Sequence, residues 1–109
     1  LTGGLLRKGV TAIFCMSDQM AGGVYDFLAE HGMQAGKDIS VAGFDNQDMA
    51  EYFRPSLTTM DLPLRKMGYL AAEILLSQLE SGKEIQTGEK ERKVSCRLIA
   101  RDSVSRPDC

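Results

Sequence analysis

The chain predicts an α/β fold with a parallel sheet, and three stretches carry the prediction. Ile39-Ser40-Val41-Ala42-Gly43-Phe44 is an apolar run that stops at Asp45 and Asn46. Thr11-Ala12-Ile13-Phe14-Cys15-Met16 stops the same way at Ser17 and Asp18, and residues 18–31 have the spacing of a helix. A strand-helix-strand unit of this kind normally sets its two strands parallel. Both polar endings then lie along one edge of the sheet, where open α/β folds bind small molecules.

Residues 4–9 read as the last turn of a helix that stops at Gly9, before a first strand at 11–16. The next helix, 18–31, spaces Met20, Ala21, Val24, Phe27 and Leu28 along one face, with Ser17 as N-cap and Gly32 as the C-terminal stop. A short loop with Gly36 leads to a second strand at 38–44, whose nearly continuous apolar character suits a strand covered on both faces. Residues 47–52 have room for one or two helical turns before Pro55, and 58–60 read as extended. Beyond Pro63, Leu64, Met67, Ala71, Ile74, Leu75, Gln78 and Leu79 describe a long amphipathic helix closed by Gly82. Residues 83–91 form a solvated connection, 92–102 alternate as a strand with Val94, Cys96, Leu98 and Ala100 on one face, and the tail from Ser103 is expected to fray. Three or four strands are thin material for an open α/β sheet, which suggests that part of the sheet lies elsewhere.

The 109 residues allow one domain of modest size. Thirteen Lys and Arg against fifteen Asp and Glu, with no basic block, give a net charge of −2 and no electrostatic footprint of a nucleic-acid binder. No apolar run approaches the roughly 18 residues of a membrane span. Three cysteines without tight pairing point to reduced thiols and a cytoplasmic setting rather than a disulfide framework. The chain opens on Leu1-Thr2-Gly3-Gly4, without an initiator Met or a signal-peptide pattern, so it reads as a fragment of a longer protein.

Asp45 and Asn46 offer acceptors and donors at a strand end, which suits a hydroxyl-rich or heterocyclic ligand; the alternative is that Asp45 merely caps the turn. Ser17 either caps the following helix, touches a ligand, or does both, whereas Asp18 fits a structural part near the site. An enzyme finds little support. His31 is the single histidine and falls at a helix end, no nucleophile-base pair exists, and Gly22-Gly23 lie within a helix instead of forming a phosphate loop. No pattern asks for a metal or another cofactor, and Met16, Met20, Met49, Met60 and Met67 are expected to fill the core. Tyr52-Phe53-Arg54-Pro55, aromatic residues beside an arginine in a loop, has the composition of a protein interface, with a lid over the domain's own core as the alternative.

Three blocks in register make the chain resemble a known family. Ala12-Ile13-Phe14-Cys15-Met16-Ser17-Asp18-Gln19-Met20-Ala21, then Gly36-Lys37-Asp38-Ile39-Ser40-Val41-Ala42-Gly43-Phe44-Asp45-Asn46, then Pro55-Ser56-Leu57-Thr58-Thr59-Met60 resemble the C-terminal part of bacterial LacI/GalR-family transcriptional regulators. The helix after Pro63 and the closing Arg97-Leu98-Ile99-Ala100-Arg101-Asp102-Ser103 fit as well, so the resemblance covers about residues 5–104. It implies a doubly wound, two-lobed effector-binding core of the periplasmic-binding-protein type I, here mainly the C-terminal lobe (about 5–57 and 92–104), with the helix within 61–82 belonging to the N-terminal lobe. It also implies that Asp45 contacts a sugar or nucleobase effector, that Ser17 borders the same pocket, that Asp18 shapes the turn, and that Met49, Tyr52, Phe53 and Arg54 lie at a homodimer interface; Asn46, beside Asp45 at the strand end, is a further candidate ligand contact. Operator DNA would be bound only through a headpiece that this chain lacks. Ser17 stands where some sugar-responsive members have Asn, so the ligand class does not carry over. A periplasmic solute-binding protein of the same fold is the alternative.

An amphipathic helix left in water forfeits on the order of 1.5 to 3 kcal/mol for each large side chain that should be buried. The chain is therefore expected to associate by helix packing or strand exchange, and a compact monomer in sedimentation at micromolar concentration would contradict this.

Overall fold

The computed structural model describes residues 2–82 and 91–107. The elements, in order, are α1 (Thr2–Leu6), β1 (Ala12–Phe14), α2 (Asp18–Glu30), β2 (Ser40–Ala42), α3 (Met49–Tyr52), β3 (Thr59–Asp61), α4 (Leu64–Ser81) and β4 (Arg97–Ile99). They fall into two compact units, one comprising residues 1–61 and 97–109 and the other residues 62–96.

In the first unit β1 and β2 run parallel, with Ile13 opposite Val41. The backbone of 42–45 continues beside 58–61, also in parallel: Gly43 N–H donates to Thr58 O and Asp45 N–H to Met60 O, 2.9 and 3.0 Å. This makes β2 a central strand, and Ile39 and Val41 are buried accordingly. β3 closes the arrangement by pairing antiparallel with β4, Met60 opposite Leu98.

α2 follows the reading of its sequence. Ser17 caps it by accepting from Met20 N–H at 3.1 Å, and it ends where Gly32 adopts a left-handed φ of 68°. Its buried face is Ala21, Val24 and Leu28, packed with Ile39, Val41, Ala50 and Leu57 into one core. Met16 and Met20 depart from the expectation of core filler: they are 78 % and 60 % exposed, because one lies beyond the end of β1 and the other on the outer side of the first turn of α2. Met67 is exposed too.

The C-terminal segment corrects two further expectations. Regular pairing in 92–102 is confined to three residues of β4, and of the expected apolar face Val94 and Cys96 are half-buried but Leu98 and Ala100 are exposed, while Ile99, Arg101 and Ser103 turn inward. The tail does not fray at Ser103. That side chain is completely buried, donating to Val41 O and accepting from Thr58 N–H, and Ser105 exchanges hydrogen bonds with Ser40. The reason is polar satisfaction: Val41 and Thr58 each carry a buried backbone group that Ser103 pairs, which outweighs burial of Leu98 at an edge.

In the second unit α4 begins after Pro63 and ends at Gly82, again in the left-handed region with φ 62°. None of its residues is fully buried, and Leu64, Leu75, Leu76 and Leu79 are exposed. The expected solvated connection 83–91 lies, apart from exposed Glu91, outside the described residues.

Candidate functional site

The two strand endings singled out in the sequence meet. Asp18 N–H donates to Phe44 O at 3.0 Å, so the first turn of α2 is stitched to the end of the β2 segment. Asp18 is completely buried, and its carboxylate accepts from the Thr59 hydroxyl at 2.6 Å and from Gln47 N–H at 2.7 Å. Short bonds to a carboxylate are the strong kind. Gly43 is what lets the carboxylate come so near: a Cβ there would collide with Asp18 and press on Leu57.

The turn after β2 is held in an unusual backbone shape. Asp45 has φ 112° and Asn46 φ 54°, the latter a left-handed conformation that asparagine tolerates and the former one that side chains rarely adopt. Asn46 explains how the shape persists. Its N–H donates to Thr59 Oγ1 at 3.3 Å, its Nδ2 to Asp61 Oδ1 at 3.1 Å, and its Oδ1 accepts from Arg101 Nη2 at 2.9 Å. Asp45 itself is half-buried, and its carboxylate has no hydrogen bond or ion pair with any described residue. Asp45 is therefore not the group that caps this turn; Asp18 and Asn46 do that. Strain held by neighbours around an uncommitted polar group is a signature of binding sites.

Ser17 is half-buried. With its oxygen accepting from Met20 N–H, its hydroxyl hydrogen remains available to a ligand. Asn46 is mostly committed within the protein and retains one amide hydrogen. Four residues of this region were not singled out from the sequence: Gln47, Thr59, Asp61 and Arg101. They join Asp18 and Asn46 across separations of 15 to 55 residues, and no local pattern announces such pairings.

The segment after the turn has two sides. Tyr52 is 75 % exposed, and Arg54, also exposed, folds its guanidinium back onto the carbonyls of Glu51 and Phe53. Phe53 turns inward onto Tyr25, ring centroids 5.0 Å apart, and Met49 is half-buried. Tyr25 in turn donates its hydroxyl to Pro55 O at 2.8 Å; burial pushes its pKa up, opposed by a smaller pull from the Ser103 hydroxyl. His31 is exposed, stacked on Phe27 and bonded to its carbonyl. Among the described residues no group of His, Cys, Asp and Glu is arranged to hold a metal ion, and no helix is long and apolar enough to cross a membrane.

The model of the periplasmic binding protein-like domain matches residues 4–104. The chain belongs to that family. Within it, this is the LacI/GalR type of effector-binding core. It is 45 % identical over 75 residues to the HTH-type transcriptional repressor PurR of Vibrio campbellii, covering 69 % of this chain and 22 % of that protein. It is 37 % identical over 97 residues to the transcriptional regulator MalR of Clostridium butyricum, covering 89 % of this chain and 28 % of the relative. Among solved structures, a LacI-family regulator of Enterococcus faecalis with bound ribose superposes with a TM-score of 0.82 at 34 % identity, over 95 % of this chain and 38 % of the other. The chain thus spans about a quarter of the length of the curated relatives it matches. These relatives are regulators of transcription and not enzymes, which favours the regulator over the periplasmic solute-binding alternative.

Proposed function

We propose that this LacI/GalR-type chain is the effector-sensing and dimerisation portion of a cytoplasmic DNA-binding regulator. Asp45 is its principal effector contact, Ser17 a second, and Asn46 a turn-holding residue with one hydrogen to spare. In this reading about residues 5–57 and 92–104 belong to the C-terminal lobe, and the helix within about 61–82, which contains α4, belongs to the N-terminal lobe. Met49, Tyr52, Phe53 and Arg54 serve a homodimer interface, Tyr52 and Arg54 by outward contact and Phe53 by anchoring the loop. Operator DNA is bound by a headpiece outside this chain.

The observation that carries the reading is the uncommitted Asp45 carboxylate on a strained turn at the carboxyl end of a central parallel strand. A carboxylate there accepts from two neighbouring hydroxyls of a sugar, or from ring and exocyclic N–H groups of a nucleobase. Ligand that binds two lobes shifts the balance between DNA-competent and DNA-incompetent arrangements only as far as its affinity for the two differs.

The test is a thermal-shift screen of the intact regulator containing this chain, against sugars, nucleobases and nucleosides, with Asp45→Asn beside the wild type. A ligand at a hundred times its Kd adds about 2.7 kcal/mol of stability. The shift is expected for the wild type and should disappear in Asp45→Asn. Equal shifts in both proteins would remove Asp45 from the site.

A further inference from the structure

Arg101 is the least expected member of the polar network, and it touches three separate segments. Its side chain is only 13 % exposed. One guanidinium nitrogen, Nη1, donates to Leu57 O at 2.9 Å, while Nη2 donates to Asn46 Oδ1 at 2.9 Å and lies 3.6 Å from Glu51 Oε1. Its backbone N–H also donates to Thr59's neighbour, Thr58 Oγ1, at 2.9 Å, which fixes the start of the side chain.

We infer that Arg101 is a positioning residue that joins the Asp45–Asn46 turn to α3, so that the strained turn and the interface-bearing helix move as one body. The inference rests on the effector reading of Asp45 for its functional meaning, but its mechanical content does not. Asn46 holds the turn through its side chain, and its oxygen has Arg101 as its donor. Glu51 belongs to α3, between the interface candidates Met49 and Tyr52. One planar fork therefore spans both, and a point charge on a flexible stem does not reproduce it. The chain of polar contacts extends the other way as well: Asn46 Nδ2 donates to Asp61, and Asp61 lies 3.6 Å from Arg97 on β4. Charges alternate along Arg97, Asp61, Asn46, Arg101 and Glu51, with the neutral amide as the central link.

Coupling of this kind is established by showing that two sites bias one shared element. Hydrogen exchange in the wild-type protein, Arg101→Gln, Arg101→Lys and Glu51→Gln reads it without any ligand. Arg101→Gln should speed exchange at the amides of 45–47 and 49–52 together by about tenfold, with β1 and the centre of α2 unchanged. Arg101→Lys should fall between it and the wild type, and Glu51→Gln should loosen 49–52 alone. Unchanged exchange at 45–47 in Arg101→Gln, or an equal increase across β1 and α2, would overturn the inference.

A second arm adds an effector found by the thermal screen. Arg101→Gln should weaken its binding about tenfold, and the ligand-induced change in the dimer dissociation constant should shrink. Intact coupling in Arg101→Gln would overturn the inference. If no ligand binds the wild type while the exchange pattern holds, the effector reading of Asp45 fails and the positioning role of Arg101 stands.

Discussion

The turns after β1 and β2 look alike in sequence and end in opposite environments. Each is an apolar strand that runs into a small polar residue or a carboxylate, Ser17-Asp18 in one and Asp45-Asn46 in the other. Asp18 is sealed in the interior with both oxygens engaged by Thr59 and Gln47, in the place where its neighbour Gly43 leaves room. Asp45, at the equivalent end of the adjacent strand, sits on a strained backbone and its carboxylate has no hydrogen bond or ion pair with any described residue. A carboxylate that has spent its hydrogen-bonding capacity inside the protein serves the fold; one that has not keeps the capacity to accept further hydrogen bonds.

Four substitutions press on this contrast. The largest effect is expected for Asp18→Ala, which leaves the Thr59 hydroxyl and Gln47 N–H without their buried acceptor and should cost about 3 kcal/mol or more in urea unfolding. A loss below about 0.5 kcal/mol would mean that Asp18 is no more structural than Asp45. Gly43→Ala comes next: its methyl group must displace the Asp18 carboxylate or Leu57, at about 2 kcal/mol as for other overpacked cores. If Gly43→Ala and Asp18→Ala together cost no more than Asp18→Ala alone, the clash with that carboxylate is confirmed as the cause.

Asp45→Gly has the opposite sign. Glycine adopts a φ of 112° without the steric penalty of a side chain, so stability should rise by about 1 kcal/mol while the ligand-induced thermal shift is lost. A stabilised protein that no longer responds to ligand is the pattern of a strained functional residue. Destabilisation by Asp45→Gly would return that carboxylate to the fold.

The smallest effect belongs to Tyr25, whose ring packs on Phe53 just after α3. Its folded-state pKa is raised, chiefly by burial, above the ordinary tyrosine value near 10. The proton is thus held more tightly in the folded state, so this contribution is intact below about pH 10 and is lost as pH climbs through the folded-state value. Tyr25→Phe should flatten the alkaline limb of stability against pH; an identical limb would assign it to other groups.

Much of this was legible in the chain. The cap at Ser17, the stops at Gly32 and Gly82, the helix face of Ala21, Val24 and Leu28, and the buried run of β2 all follow from local rules, because caps, left-handed stops and apolar spacing are decided within a few residues. The exposure of Met16 and Met20 was not legible, since an apolar residue at an element's end faces whatever the fold puts there. Nor was the burial of Ser103, which depends on backbone groups of Val41 and Thr58, 62 and 45 residues away.

By itself the sequence determined the parallel β-α-β unit, the two polar strand endings, and the LacI/GalR resemblance that the periplasmic binding protein-like match over residues 4–104 and the regulator relatives together bear out. Only the tertiary structure decided which carboxylate is spent and which has no partner among the described residues, because that depends on distant donors: Thr59 is 41 residues from Asp18, and Arg101 is 55 from Asn46. Local propensity fixes where a carboxylate sits along the chain. Whether it has partners is a property of what the fold brings to it.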